Sequence, residues 1–237
     1  MKSISFMTLA TLLYTGVFAL EPAKSPKTEV PKEAVAHGAI PALAPSGPTP
    51  DESLKKLLAG NQRFISATQS HEHQSLERRG EVAQGQNPFA VIVSCSDSRV
   101  PPEVVFDQGV GDLFVIRSAG EVVTEIGIGS IEYAVEHLGT PLIMVLGHER
   151  CGAVKATVDG GAAPGSIGSI CKLIQPAVDK AKTQQGDVVE NAVRNNVSLV
   201  AEKIASSAVI RKAIEEGKVK VVKAYYDLDD GTVKPVQ

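Results

Sequence analysis

No stretch of about 18 uninterrupted apolar residues occurs in the chain, so nothing compels a transmembrane helix. No strong basic patch occurs either. The formal charge is −3 over 237 residues, which argues against nucleic acid as a partner. Cysteine is scarce, at three residues, and no internal repeat is visible. Near the amino terminus no Arg-Arg pair points to the twin-arginine route, and the lack of a cysteine near the expected cleavage site argues against a lipoprotein anchor. What remains is a chain 43% hydrophobic, long enough for one domain with appendages.

The first 19 residues read as a secretory signal. Lys2 is the positive n-region, Ile4 to Val17 a mostly apolar core, and Val17-Phe18-Ala19 an acceptable cleavage site. The expectation is export, to a periplasm or the medium, with no stable membrane insertion after cleavage. Residues 20–50 are punctuated by Pro22, Pro26, Pro31, Pro41, Pro45, Pro48 and Pro50, and read as a disordered linker. The folded domain is expected over residues 51–237.

Asp51 or Ser53 is a candidate cap for a helix running through Leu54, Leu57 and Leu58 to Phe64 and Ile65, and a polar loop follows around Ser70 to Gln74. Apolar runs at Phe89–Val93, Leu113–Ile116 and Leu142–Leu146 read as buried strands. Helical spacing marks Ile126–Leu138, Ile167–Lys182, Val188–Ser206 and Val209–Glu216. A strand over Val219–Tyr226 and an Asp229-Asp230-Gly231 turn form a terminal hairpin. Strands alternating with helices predict an α/β fold, with a central, mostly parallel sheet of four to five strands flanked by helices.

Two short segments carry the chemistry. Cys95-Ser96-Asp97-Ser98-Arg99 follows the first strand, and His148-Glu149-Arg150-Cys151 follows the third. In open α/β sheets functional groups gather beyond the carboxyl ends of strands, so the two segments can meet although distant in sequence. Cys95, His148 and Cys151 form a zinc ligand set, with Asp97 or a water in the fourth position. Cys151 opens a helix, where the macrodipole favours a thiolate. Two readings of Asp97 stand side by side: held by Arg99, it orients a metal-activated water, or it becomes the fourth ligand and closes the site. Two thiolates weaken the Lewis acidity of zinc, which favours alkaline working pH. A structural zinc and, in an oxidising compartment, a Cys95–Cys151 disulfide are the competing readings. Cys171 reads as a small buried hydrophobe, and His37, His71, His73 and His137 as solvated.

The ordered set of motifs resembles the β-class carbonic anhydrases. It comprises Leu57 to Phe64, Cys95 to Val100, Gly111 to Arg117, Ile131 to Val135, and Gly147-His148 to Cys151-Gly152. The resemblance implies zinc-dependent, reversible hydration of carbon dioxide to bicarbonate and a proton, by a dimer or higher homo-oligomer with its site at the subunit interface. Asp97 and Arg99 match the catalytic dyad, and Gln86, Phe114 and Tyr133 match substrate-binding positions. The N-terminal helix is expected to pack on a partner subunit. Two positions depart from the family. Ile92 stands where the branch with a non-catalytic bicarbonate site has tryptophan, a residue this chain lacks altogether, and Ala119 stands where plant-type members carry valine. A hydrolase of carbon disulfide or carbonyl sulfide and a zinc-binding redox sensor are the alternatives.

Overall fold

A computed structural model describes residues 47–236. The signal segment and almost all of the linker lie outside the described residues. Strands β1 (Ala90–Cys95) and β3 (Leu142–His148) are buried along their whole lengths. Their side chains alternate between two cores. Val91, Val93, Cys95, Ile143 and Val145 face one, while Ala90, Ile92, Leu142, Met144 and Leu146 face the other. A sheet covered on both faces needs no polar alternation, which is why these segments read as continuous apolar runs.

With β2 (Leu113–Ser118), β4 (Lys220–Tyr226) and β5 (Val233–Pro235) they form one five-stranded sheet, in the order β2-β1-β3-β4-β5. The first four strands are mutually parallel, and β5 returns antiparallel against β4. The predicted sheet and terminal hairpin are both present. Ser94 pairs with Leu146, so the carboxyl ends of β1 and β3 share one edge of the sheet. Cys95 and His148 are the last residues of their strands rather than the first residues beyond them.

One core is roofed by α4 (Glu125–Leu138), α5 (Gly152–Asp159), α6 (Ile167–Ala181), α7 (Val188–Ala205) and α8 (Ala208–Glu215). The other lies under α1 (Pro50–Ile65) and the short α3 (Pro102–Val105). The start of α1 corrects the sequence reading. Its cap is Thr49, not Asp51 or Ser53. The Thr49 hydroxyl accepts from the Glu52 amide, and the Glu52 carboxylate accepts from the Thr49 amide. Thr49-Pro50-Asp51-Glu52 is a capping box with proline at the first helical position, so Pro50 belongs to the domain and not the linker.

The inner face of α1 is seated on its own chain. Leu57 is fully buried, and Asn61 donates to the carbonyls of Val105 and Gly231 and accepts from the Val233 amide. Its outer side leaves Leu58 and Ile65 exposed. The one-turn α3, the helix α2 (Leu76–Val82) and a 3-10 turn over Ala119–Glu121 were not anticipated. Each is too short to display a helical period. Cys171 lies half-buried on α6, less enclosed than expected.

Candidate metal centre

The carboxyl edge of the sheet brings Cys95, His148 and Cys151 together, all three buried, with their ligand atoms within 4.8 Å of one another. All three cysteines are free thiols, so Cys95 and Cys151 are not joined as a disulfide. Cys151 occupies the cap position of α5, yet its side chain makes no capping hydrogen bond, which leaves the sulfur available. His148 pairs Nδ1 with the Glu149 carbonyl at 2.9 Å. A carbonyl can only accept, so Nδ1 carries the proton and Nε2 presents a lone pair. That Nε2 is buried and has no partner. An unpartnered buried acceptor costs about 1–3 kcal/mol. A divalent cation between this nitrogen and the two sulfurs removes that cost, and the donor set is one that zinc prefers. The carbonyl behind Nδ1 orients the ring in the manner of an outer-shell partner.

The thiols titrate as a pair. Cys95 is lowered to about 4, chiefly by its hydrogen bond with Cys151, against the effect of burial, with help from His148 and the Gly120 and Asp97 amides. Cys151 is pushed up, by that same hydrogen bond, by burial and by the nearby Glu121 carboxylate. Burial disfavours the His148 imidazolium, but Cys95 and Glu121 outweigh it and the ring is raised overall. The pair thus loses its first proton more readily from Cys95 than from Cys151.

Asp97 stands beside this set. Its Oδ2 is 3.8 Å from His148 Nε2, and it lies outside the three-ligand cluster. Arg99 grips it bidentately, Nε to Oδ1 at 2.9 Å and Nη2 to Oδ2 at 2.8 Å, and the Arg99 amide donates to Oδ1. Those bonds to Arg99 hold the carboxyl well below the usual carboxylate range, against partial burial. Arg117, at the end of β2, had no assigned part in the sequence reading. It donates to the carbonyls of Cys95, Asp97 and Val100 and so fixes the loop that carries Asp97. A second missed residue is Glu121, fully buried behind the centre and raised to about 7 by burial, against its Asn196 hydrogen bond. Nothing in the spacing marks it. Only its neighbour Gly120 hints at an unusual backbone.

The three expected substrate-binding residues are not brought to the centre of their own chain. Phe114 pairs with Val91 while Cys95 pairs with Ser118. Phe114 thus sits four residues back along the sheet, about 13 Å away. Its ring lies 6.5 Å from that of Tyr133, which is 44% exposed on α4. Gln86 is exposed in the loop leading into β1, at the strand's opposite end from Cys95. Among the histidines, His73 is not simply solvated: its Nδ1 lies 2.8 Å from both oxygens of buried Asp112. A second acidic group, Glu149, Asp227 and Asp229, surrounds Arg150, which pairs with Glu149 and Asp229.

A buried Cys-His-Cys set at the carboxyl edge of a parallel sheet, with an arginine-held aspartate beside it, defines a zinc enzyme of the α/β class. The family model described as carbonic anhydrase matches residues 90–233. The chain is 41% identical over 187 residues to carbonic anhydrase 2 of Mycobacterium tuberculosis, covering 77% of this chain and 90% of that protein. It is 41% identical over 192 residues to a carbonic anhydrase of Mycolicibacterium smegmatis, covering 78% and 92%. Among solved structures, the β-carbonic anhydrase of Coccomyxa in complex with acetazolamide superposes with a TM-score of 0.62 at 26% identity, over 77% of this chain and 86% of that one. The chain belongs to the β-carbonic anhydrase family, zinc enzymes that hydrate carbon dioxide.

Proposed function

We propose that Asp97 and Arg99 are the catalytic pair of this carbonic anhydrase, working beside a zinc ion held by Cys95, His148 and Cys151. The observation that carries the reading is the unpartnered Nε2 of His148 between two buried sulfurs, with Asp97 Oδ2 3.8 Å away. Zinc bound there supplies Lewis-acid activation of water. Asp97 accepts a hydrogen bond from the attacking water and turns its free lone pair toward the carbon of carbon dioxide. Asp97 stays ionised throughout, because Arg99 holds its pKa down. One C–O bond forms, bicarbonate departs, and the proton passes to buffer. Release of Asp97 from Arg99 would let its carboxylate take the fourth ligand position and close the site.

The substrate pocket is completed by a second copy of the chain. The half-exposed apolar edge strand β2 and the exposed Ile126 and Tyr133 of α4 support such an interface. Phe114, Tyr133 and Gln86 of one copy then serve the centre of the other. The outer side of α1, with Leu58 and Ile65, also packs on that copy. Residues 1–19 direct export, and the enzyme works in the periplasm or the medium.

Stopped-flow carbon dioxide hydration, with zinc measured on the same sample, tests the assignment. Turnover should scale with zinc content and rise through mildly alkaline pH. Zinc-loaded protein that is inert toward carbon dioxide yet hydrolyses carbon disulfide or carbonyl sulfide would reassign the substrate. Mixing a Tyr133→Ala copy with an Asp97→Asn copy should restore activity if sites are shared, and should not if each chain is self-sufficient. A phosphatase fused after residue 19 should be active only outside the cytoplasm.

A further inference from the structure

Beside Cys95, the 3-10 turn over Ala119–Glu121 adopts a backbone that only a tertiary contact can hold. Gly120 and Glu121 are consecutive left-handed residues, with φ 68° and 41°. Glycine enters this region freely, but glutamate does so only under constraint. The constraint comes from Asn196 of α7. Its Nδ2 donates at 2.8 Å both to the Gly120 carbonyl and to Glu121 Oε1. Glu121 Oε2 is buried without a partner, so the side chain's polar anchor is this one amide. The helix itself is seated tightly on β3, where a Cβ at Gly147 would meet Val197 at 2.5 Å. The strut therefore has little freedom. What it holds is the Gly120 amide, which donates to Cys95 Sγ at 3.2 Å.

We propose that Glu121 and Asn196 form a buried bracket that keeps the Gly120 amide on the Cys95 sulfur, which makes Glu121 a positioning residue for that ligand. The inference rests on the zinc reading above. Glu121 touches neither substrate nor reacting atoms in this role. It acts through Asn196, and Asn196 through the Gly120–Glu121 peptide, whose held carbonyl fixes the orientation of Gly120 and so of its amide. An amide donating to a metal-bound thiolate orients the sulfur and draws electron density from it. Loss of the bracket leaves the turn free to relax and that amide free to leave the sulfur.

Glu121→Gln keeps the size and one acceptor oxygen, whereas Glu121→Ala removes the acceptor. Asn196→Leu removes the donors at nearly constant volume, and it carries the reading if E121A does not fold. Zinc transfer to a chromogenic chelator should speed up about 10- to 100-fold in E121A and N196L, as for other outer-shell partners. E121Q should behave as the unaltered enzyme, and the E121A/N196L pair no worse than the weaker single variant. In cobalt-substituted protein the thiolate-to-cobalt band should move to lower energy in E121A and N196L only. A merely structural role would not move that band. In the unaltered enzyme loaded with cadmium-113, the Gly120 amide proton should show coupling to the metal through the sulfur.

The proposal is overturned by unchanged release and band in the folded variants, by E121Q behaving like E121A, or by absence of the cadmium coupling. An unaltered enzyme that takes up no zinc, cobalt or cadmium at Cys95 would instead overturn the zinc reading, and this inference with it.

Discussion

Two Asp–Arg pairs in this molecule have the same chemistry and opposite uses. Asp97 and Arg99 are two residues apart in sequence, with side chains 17% and 52% exposed. Asp107 and Arg63 join distant segments, and the Asp107 side chain is fully buried. Asp107 also accepts from the Ser70 amide and hydroxyl and from the His71 amide, and so ties the loop after α1 to the end of α3. Both oxygens of Asp107 accept, and all of their donors hold chain to chain. Asp97 spends its oxygens on one neighbour and keeps a face toward His148 Nε2. A carboxylate used for structure is enclosed and saturated. One used for chemistry stays near water and keeps an exchangeable partner.

Substitution should separate the two. Asp97→Asn should lower turnover about 10²- to 10⁴-fold while zinc content and melting temperature stay unchanged, read by stopped flow and metal analysis. Full turnover would end the catalytic role of Asp97. Asp107→Ala should do the reverse, costing about 3 kcal/mol of stability because Arg63 and three donors lose their acceptor. Urea unfolding measures this, and hydration per zinc should persist in the folded fraction.

Acid sharpens the same contrast. Burial raises the Asp107 pKa, but Arg63 and the Ser70 and His71 donors outweigh it and hold it at about 2. A depressed carboxylate stabilises the folded state above its unfolded pKa of about 4, and that stability fades as pH falls toward the folded value. The unaltered enzyme should therefore lose stability between those two pH values, and D107A should show a flatter acid limb. An identical acid limb would remove Asp107 from the account. The smallest effect belongs to the amino end of α1, whose last turn carries Arg63: Thr49→Ala should cost about 1 kcal/mol through loss of the capping box, without touching turnover.

The sequence was most legible where burial on both faces left unbroken apolar runs. β1, β3 and the hairpin fall within a residue or two of expectation, and the ligands Cys95, His148 and Cys151 end or follow those runs. It was least legible where structure is short or set by distant contact. α2 and α3 have too few turns to show a period, and the Thr49 cap lay inside what composition marked as linker. The parts of Arg117 and Glu121 were invisible, because each depends on a partner many residues away.

By itself, the order of residues determined which atoms are available to a cation, since two thiols and an imidazole fall at the ends of apolar runs that read as strands of one parallel sheet. The pairing of β1 with β3 then decided that they converge at one edge. Only the packed structure decided that His148 turns Nε2 and not Nδ1 inward, through the Glu149 carbonyl, and that Asp97 is held by Arg99. Likewise it alone placed Phe114, Tyr133 and Gln86 away from the centre of their own chain. Chemical identity is local to a residue, whereas orientation and distance are set by the elements packed around it.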